Sequence, residues 1–142
     1  MKHIKDVGNE CAVLKTRMAA RNVTRAYDKA LRPLGLKSTQ FTLLVAIHQG
    51  APRSVSRLAD FLAMERTTLT RNLQLLEKEG HIEMSPEGYR RERGMKLTAA
   101  GEALLAKALP IWRATQDRFV AAVGNDDWHS MAGALERISR IE

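Results

Sequence analysis

Three threonines and two arginines crowd into Arg66-Thr67-Thr68-Leu69-Thr70-Arg71, and Asn72 and Gln74 extend the polar run. Arginine matches the paired acceptors on a guanine edge, and asparagine, glutamine and threonine reach other base edges or phosphates. Threonine is a poor helix former, so three in four residues at a helix start ask for a role beyond propensity. A second basic group, Arg90, Arg91 and Arg93, lies between Gly88 and Gly94. Guanidinium groups in such a loop suit phosphates or the minor groove of a duplex. The plainer alternatives are a solvated helix face and a charged surface hairpin. The succession of the two groups along the chain favours one polyanionic partner for both.

Other chemistry has no visible carrier. His3, His48, His81 and His129 show no metal-ligand spacing among themselves or with Cys11. There is no glycine-rich phosphate loop, no Gly-x-Ser-x-Gly, and no carboxylate pair that stands apart from ordinary helix-surface charge. An enzyme, a metal and a cofactor are therefore not expected. The net charge of +7 agrees with a polyanionic partner, because neutralising phosphates releases counterions. That charge is uneven: residues 1–50 carry nine Lys or Arg against three Asp or Glu, whereas residues 99–142 carry five against six. The single cysteine excludes an internal disulfide framework. No apolar run approaches the ~20 residues of a membrane span, and no signal-peptide core is seen, so a cytoplasmic location is expected.

The elements that must position these groups follow from periodicity. A first helix is expected from Asn9 to Arg32, ending before Pro33, with Ala12, Ala19, Val23, Ala26, Tyr27, Ala30 and Leu34 on one face. Cys11, Leu14 and Met18 form a second apolar strip, read as a contact to another subunit. A second helix runs from Ser38 or Thr39, either of which could cap it, to Gln49. A short third helix starts near Ser54 with Val55, Leu58, Ala59 and Leu62 inward. The fourth runs from Arg66 to Glu79 on Leu69, Leu73 and Leu76, and Gly80 ends it. Period-two alternation at 81–84 and 95–98 predicts a β-hairpin around the arginine loop. Thr98 caps a long fifth helix in which Pro110 is expected to make a kink. A last helix, after cap candidates Asn125–Asp127, bears Trp128, Met131, Ala132, Leu135 and Ile138 on one stripe.

Short helix, tight turn, polar-faced helix and hairpin in that order make a winged helix-turn-helix. The stretches Ser54–Leu62, Arg66–Arg71, Leu75–Ile82 and Gly88-Tyr89-Arg90-Arg91 resemble the MarR family of regulators, as do Lys96–Gly101, Leu34–Leu36 and Gln40–Leu44. The resemblance covers nearly the whole chain. It implies a mainly α winged helix-turn-helix fold with a small hairpin wing, in one domain spanning 1–142. Residues 36–98 form the DNA-binding lobe, and 1–35 and 99–142 form dimerisation helices. It implies a homodimer on a palindromic operator in double-stranded DNA, acting as a repressor. Residues Arg66 to Gln74 become the recognition helix and Arg91 the wing-tip arginine. The DNA-binding set is Ser54, Arg66, Thr67, Thr68, Thr70, Arg71, Gln74, Arg90, Arg91 and Arg93. The family's wings commonly read Asp-Arg-Arg, and here Tyr89 stands in the place of that aspartate, which usually helps to brace the wing.

Many members of the family release DNA when a small phenolic or carboxylate ligand binds between the dimer helices and the winged lobe. Arg17, Arg21, His48 and Trp112 are the ligand-binding candidates, against a plainer reading as surface or core residues; Arg25 lies on the same helix. One branch senses hydroperoxides through a first-helix cysteine. Aligning Val23–Tyr27 with that branch puts its cysteine at Val13, so Cys11 is two residues early and points about 200° away on an unbroken helix. A subunit-contact thiol is favoured over a sensor. A protein-interaction module and a cysteine-based redox sensor stand as the alternative functions.

Overall fold

A computed structural model describes residues 3–141. Its helices are α1 (Ile4–Glu10), α2 (Ala12–Leu31), α3 (Ser38–His48), α4 (Val55–Phe61), α5 (Arg66–Lys78), α6 (Ala99–Val123) and α7 (Asn125–Ile138). Strands β1 (Ile82–Met84) and β2 (Met95–Leu97) form an antiparallel pair between α5 and α6.

The centre of the lobe is α3, which buries Phe41, Leu43, Leu44, Ala46 and Ile47. A helix apolar on nearly every side has to be surrounded, and α2, α5, α6 and β2 pack on it. By contrast α5 is one-sided. Leu69, Leu73 and Leu76 follow helical spacing and are at most 1% exposed, while its other face is polar apart from the exposed Leu75. Ile82 and Leu97, then Met84 and Met95, oppose each other on the inner face of the hairpin; Glu83 and Lys96 form a 3.0 Å ion pair outside.

Two close approaches lock the lobe to α6. Thr98 accepts from the Gly101 amide as a helix cap and donates to the Gly80 carbonyl at 2.5 Å. A Cβ on Gly101 would stand 2.0 Å from the His81 carbonyl oxygen, so glycine is required there. Farther along, Tyr27 of α2 donates to Gln116 of α6, and burial raises the Tyr27 phenol above its ordinary 10.0. Asp28 accepts from both the amide and the hydroxyl of Ser38 at 2.7 Å, tying α2 to the start of α3.

Several expected details change. The first helix is two, α1 and α2, broken at Cys11, whose extended ψ of 113° ends one and starts the other. A helical wheel cannot be carried across that break, so the angle assigned to the half-buried Cys11 thiol does not apply. Pro33 sits inside a short 3-10 turn, Arg32–Leu34, which follows α2 directly and needs no proline amide so near its start. Leu34 therefore leaves the α2 face, and Gly35 (φ 68°) makes the left-handed exit. Neither Ser38 nor Thr39 caps α3. The Gln40 side chain reaches back to the Lys37 amide instead, while Ser38 is occupied by Asp28. As expected, α6 runs through Pro110, which lies on its exposed side, where the Ala106 carbonyl it leaves unpaired can meet water. Asn125 is already helical, with Gly124 (φ 99°) before it.

Candidate nucleic-acid interface

The polar face of α5 is an open surface lined by Glu65, Arg66, Thr67, Thr70, Arg71 and Gln74. Its shape follows from the leucines beneath: burying positions 69, 73 and 76 turns 67, 70, 71 and 74 outward. Among the described residues, no hydrogen bond or ion pair engages the side chains of Arg66, Thr67, Thr70, Arg71 or Gln74, and all but the half-buried Thr70 are exposed. They stand ready for an external partner. Thr68 is exposed too, but its carbonyl accepts from Asn72, so that amide is turned along its own helix. The turn before α5 is tight: Met64 donates to the Ala59 carbonyl, and Ala63 takes φ 49°, a left-handed backbone unusual for alanine. Ser54 is the cap of α4, its hydroxyl accepting from the Arg57 amide at 3.4 Å.

The wing is fastened despite the missing aspartate. Ser85 and Gly94 pair across its base, through Ser85 N–H to the Gly94 carbonyl at 2.9 Å and Gly94 N–H to Ser85 Oγ at 2.6 Å. Arg93 donates from Nε to the Ser85 carbonyl at 2.9 Å and from its amide to the Arg53 carbonyl at 2.8 Å. Arg53 in turn pairs with Glu92 at 3.1 Å. Arg93 thus works inward at the wing's base, whereas Arg90 and Arg91 project from its tip, Arg91 lying 3.9 Å from Glu87.

The ligand candidates are scattered. Arg17 and Arg21 are exposed on α2, and His48 meets Glu102 at 3.1 Å at the junction of α3 and α6. Trp112 packs against the core and stacks on Phe41, with Arg113 over its ring. An open groove of about 570 Å³ between α2 and α6 is lined by other residues, among them Val23, Tyr27, Lys29, Thr115, Arg118 and Phe119. Sequence reasoning missed Arg53, Ser85 and Glu92 because their roles depend on the folded path between the α3–α4 loop and the wing. Among the described residues no group of three or more His, Cys, Asp or Glu could hold a metal, and no helix is long and apolar enough to cross a membrane.

A MarR-family sequence profile matches residues 34–91. An uncharacterised helix-turn-helix transcriptional regulator of Bacillus cereus is 32% identical over 104 residues, covering 73% of this chain and 69% of that protein. The chain belongs to the MarR family. It is a helix-turn-helix transcriptional regulator and not an enzyme. Among solved MarR-like structures, the Mycobacterium tuberculosis transcriptional regulator MosR is 41% identical with a TM-score of 0.75, over 90% of this chain and 97% of that one. Its complex with DNA aligns with a TM-score of 0.72 at 40% identity, over 93% and 100%. A second M. tuberculosis MarR-family protein, solved with p-aminosalicylic acid, is 27% identical with a TM-score of 0.67, over 90% and 97%. The mainly helical winged architecture, with its two-stranded wing and long terminal helices, is the MarR fold.

Proposed function

We propose that this chain is a homodimeric repressor that reads a palindromic operator and is released from it by a small ligand. The observation that carries the DNA reading is the open polar face of α5, set outward by buried Leu69, Leu73 and Leu76. In this reading Arg66, Thr67, Thr68, Thr70, Arg71 and Gln74 meet base edges and phosphates in the major groove. Arg90 and Arg91 enter the adjacent minor groove, and Arg93 and Ser54 hold the wing and α4 in place for them. The 40%-identical MosR was captured on DNA, which supports the same use of this surface.

The lobe is 36–98, and the helices on either side serve dimerisation. Support comes from what they leave uncovered: Val7, Val13, Leu14 and Met18 near one end, and Met131, Leu135, Ile138 and Ile141 at the other, are all large apolar residues exposed in the protomer. Facing a second copy would bury them. Two lobes joined in this way set the spacing of two recognition helices, and a ligand preferring another spacing lowers DNA affinity by its differential binding. A phenolic or carboxylate ligand fits the positive charge of Arg17 and Arg21, and the 27%-identical relative was solved with an aromatic carboxylate.

The test is a titration of the full chain against random-sequence duplexes at several salt concentrations, beside Arg71→Ala and Arg91→Ala. Enrichment of an inverted repeat, weakened about 5- to 150-fold by Arg71→Ala and also weakened by Arg91→Ala, is expected, since a good base contact is worth about 1–3 kcal/mol. Weak, uniform binding indifferent to both changes would favour a protein-interaction module instead.

A further inference from the structure

The wing carries an aromatic residue that folding does not need. Tyr89 is 82% exposed at the tip, although a buried aromatic contributes far more to stability than a solvated one. Bracing does not explain it, because Arg53, Ser85, Glu92 and Arg93 already close the wing's base. The guanidinium carbon of Arg90 lies 5.2 Å from the Tyr89 ring centroid.

The backbone beneath this pair is unusual. Gly88 donates to the Glu92 carbonyl at 2.7 Å, closing a small loop in which Arg90 (φ 55°, ψ 34°) and Arg91 (φ 60°) are both left-handed. Glycine or asparagine would occupy such positions with less strain. Arginine at both keeps two long cations at a strained tip, the pattern of a contact site. The two cations are not equivalent. Arg91 faces the Glu87 carboxylate, whereas Arg90 lies on an uncharged aromatic face.

We propose that Tyr89 and Arg90 enter the DNA as one stacked unit, which makes Tyr89 a positioning residue for a wing contact made by Arg90. The proposal rests on the DNA reading given above. Stacking orders the Arg90 side chain before binding, so less freedom is lost when it meets a phosphate or the groove. A guanidinium is weakly hydrated and keeps its donors in a planar fork while its face rests on a ring. The tyrosine also leaves the tip one negative charge poorer than the aspartate common at this position in related wings.

The experiment is a double-mutant cycle on the full chain, with an inverted-repeat duplex enriched by the wild type from a random library as probe. Tyr89→Ala should weaken binding about 3- to 30-fold and Tyr89→Phe less than about 2-fold, because the ring carries the effect. The slope of log affinity against log salt should fall by about 0.9 in Arg90→Ala, where the cation is lost, and by a smaller amount in Tyr89→Ala, where it is kept but loosened. The double variant should be no weaker than Arg90→Ala. Thermal melting of Tyr89→Ala should match the wild type, so a misfolded wing cannot mimic the result. Additive losses, an unchanged salt slope in Tyr89→Ala, or wild-type affinity in Tyr89→Ala would each overturn the pair while leaving the DNA reading intact. A wild type that enriches no sequence would overturn that reading and the pair with it.

Discussion

The winged lobe and the terminal helices treat their apolar residues in opposite ways. Between Leu36 and Ile82 the lobe hides most of them: Leu43, Leu44, Leu58, Leu69 and Leu76 show no exposed surface, and of its large apolar residues Phe61 and Leu75 stand exposed. Neither α1 nor α7 buries a single residue, and α2 buries only Leu31. Yet α2 and α7 are amphipathic, and Phe119 and Trp128 meet edge to face where α6 turns into α7. One region is a finished core and the other is half of one. The lesson is about division of labour: the part proposed to touch DNA is rigid by itself, and the part proposed to set lobe spacing depends on association. Stability of the second part should therefore follow protein concentration.

That contrast can be broken or sharpened experimentally. The largest effect is expected inside the lobe. Leu73→Ala should cost about 2–5 kcal/mol, as a cavity in a closed core does, measured by urea unfolding. Gly101→Ala should cost about 1–3 kcal/mol or more, because its Cβ meets the His81 carbonyl and α6 must shift away. In the terminal helices, Leu135→Glu should leave the lobe folded but abolish the rise of melting temperature with protein concentration; sedimentation would then find a single protomer. An unchanged sedimentation profile would contradict the division proposed. Above pH 10 the tie between α2 and α6 should weaken. Burial raises the folded Tyr27 pKa above 10.0, so its contribution is fully present below that pH and fades as pH climbs through the folded value. Melting temperatures from pH 9 to 11 should fall less steeply in Tyr27→Phe. The smallest change is expected at the helix-turn-helix turn, where Ala63→Gly relieves a left-handed alanine and should gain up to about 1 kcal/mol.

Much of this was legible in the sequence where a single period governs. The Leu69, Leu73 and Leu76 spacing gave both the buried side of α5 and its outward face, and alternation gave the strand pair. Legibility failed where the deciding partner is distant in the chain. Nothing local to Ser38 announces that Asp28 will occupy it and leave Gln40 to cap α3. Arg53 and Glu92 lie almost forty residues apart, so the brace they form could not be read from the wing alone. The break at Cys11 was missed because periodicity continues on both sides of it. The candidate ligand residues fared differently from the DNA set. Helical spacing can group side chains on one element, but Arg17, His48 and Trp112 lie on three.

Two lobes are proposed to read DNA at a spacing fixed by the helices joining them. The most direct measurement compares an enriched inverted-repeat duplex with the same duplex carrying about five extra base pairs, half a helical turn, between its halves. Two protomers are expected on the first duplex, with a loss of about 100-fold or more in affinity on the second, because one lobe is turned to the wrong side. Equal affinity for both duplexes, with one protomer bound per half, would contradict it.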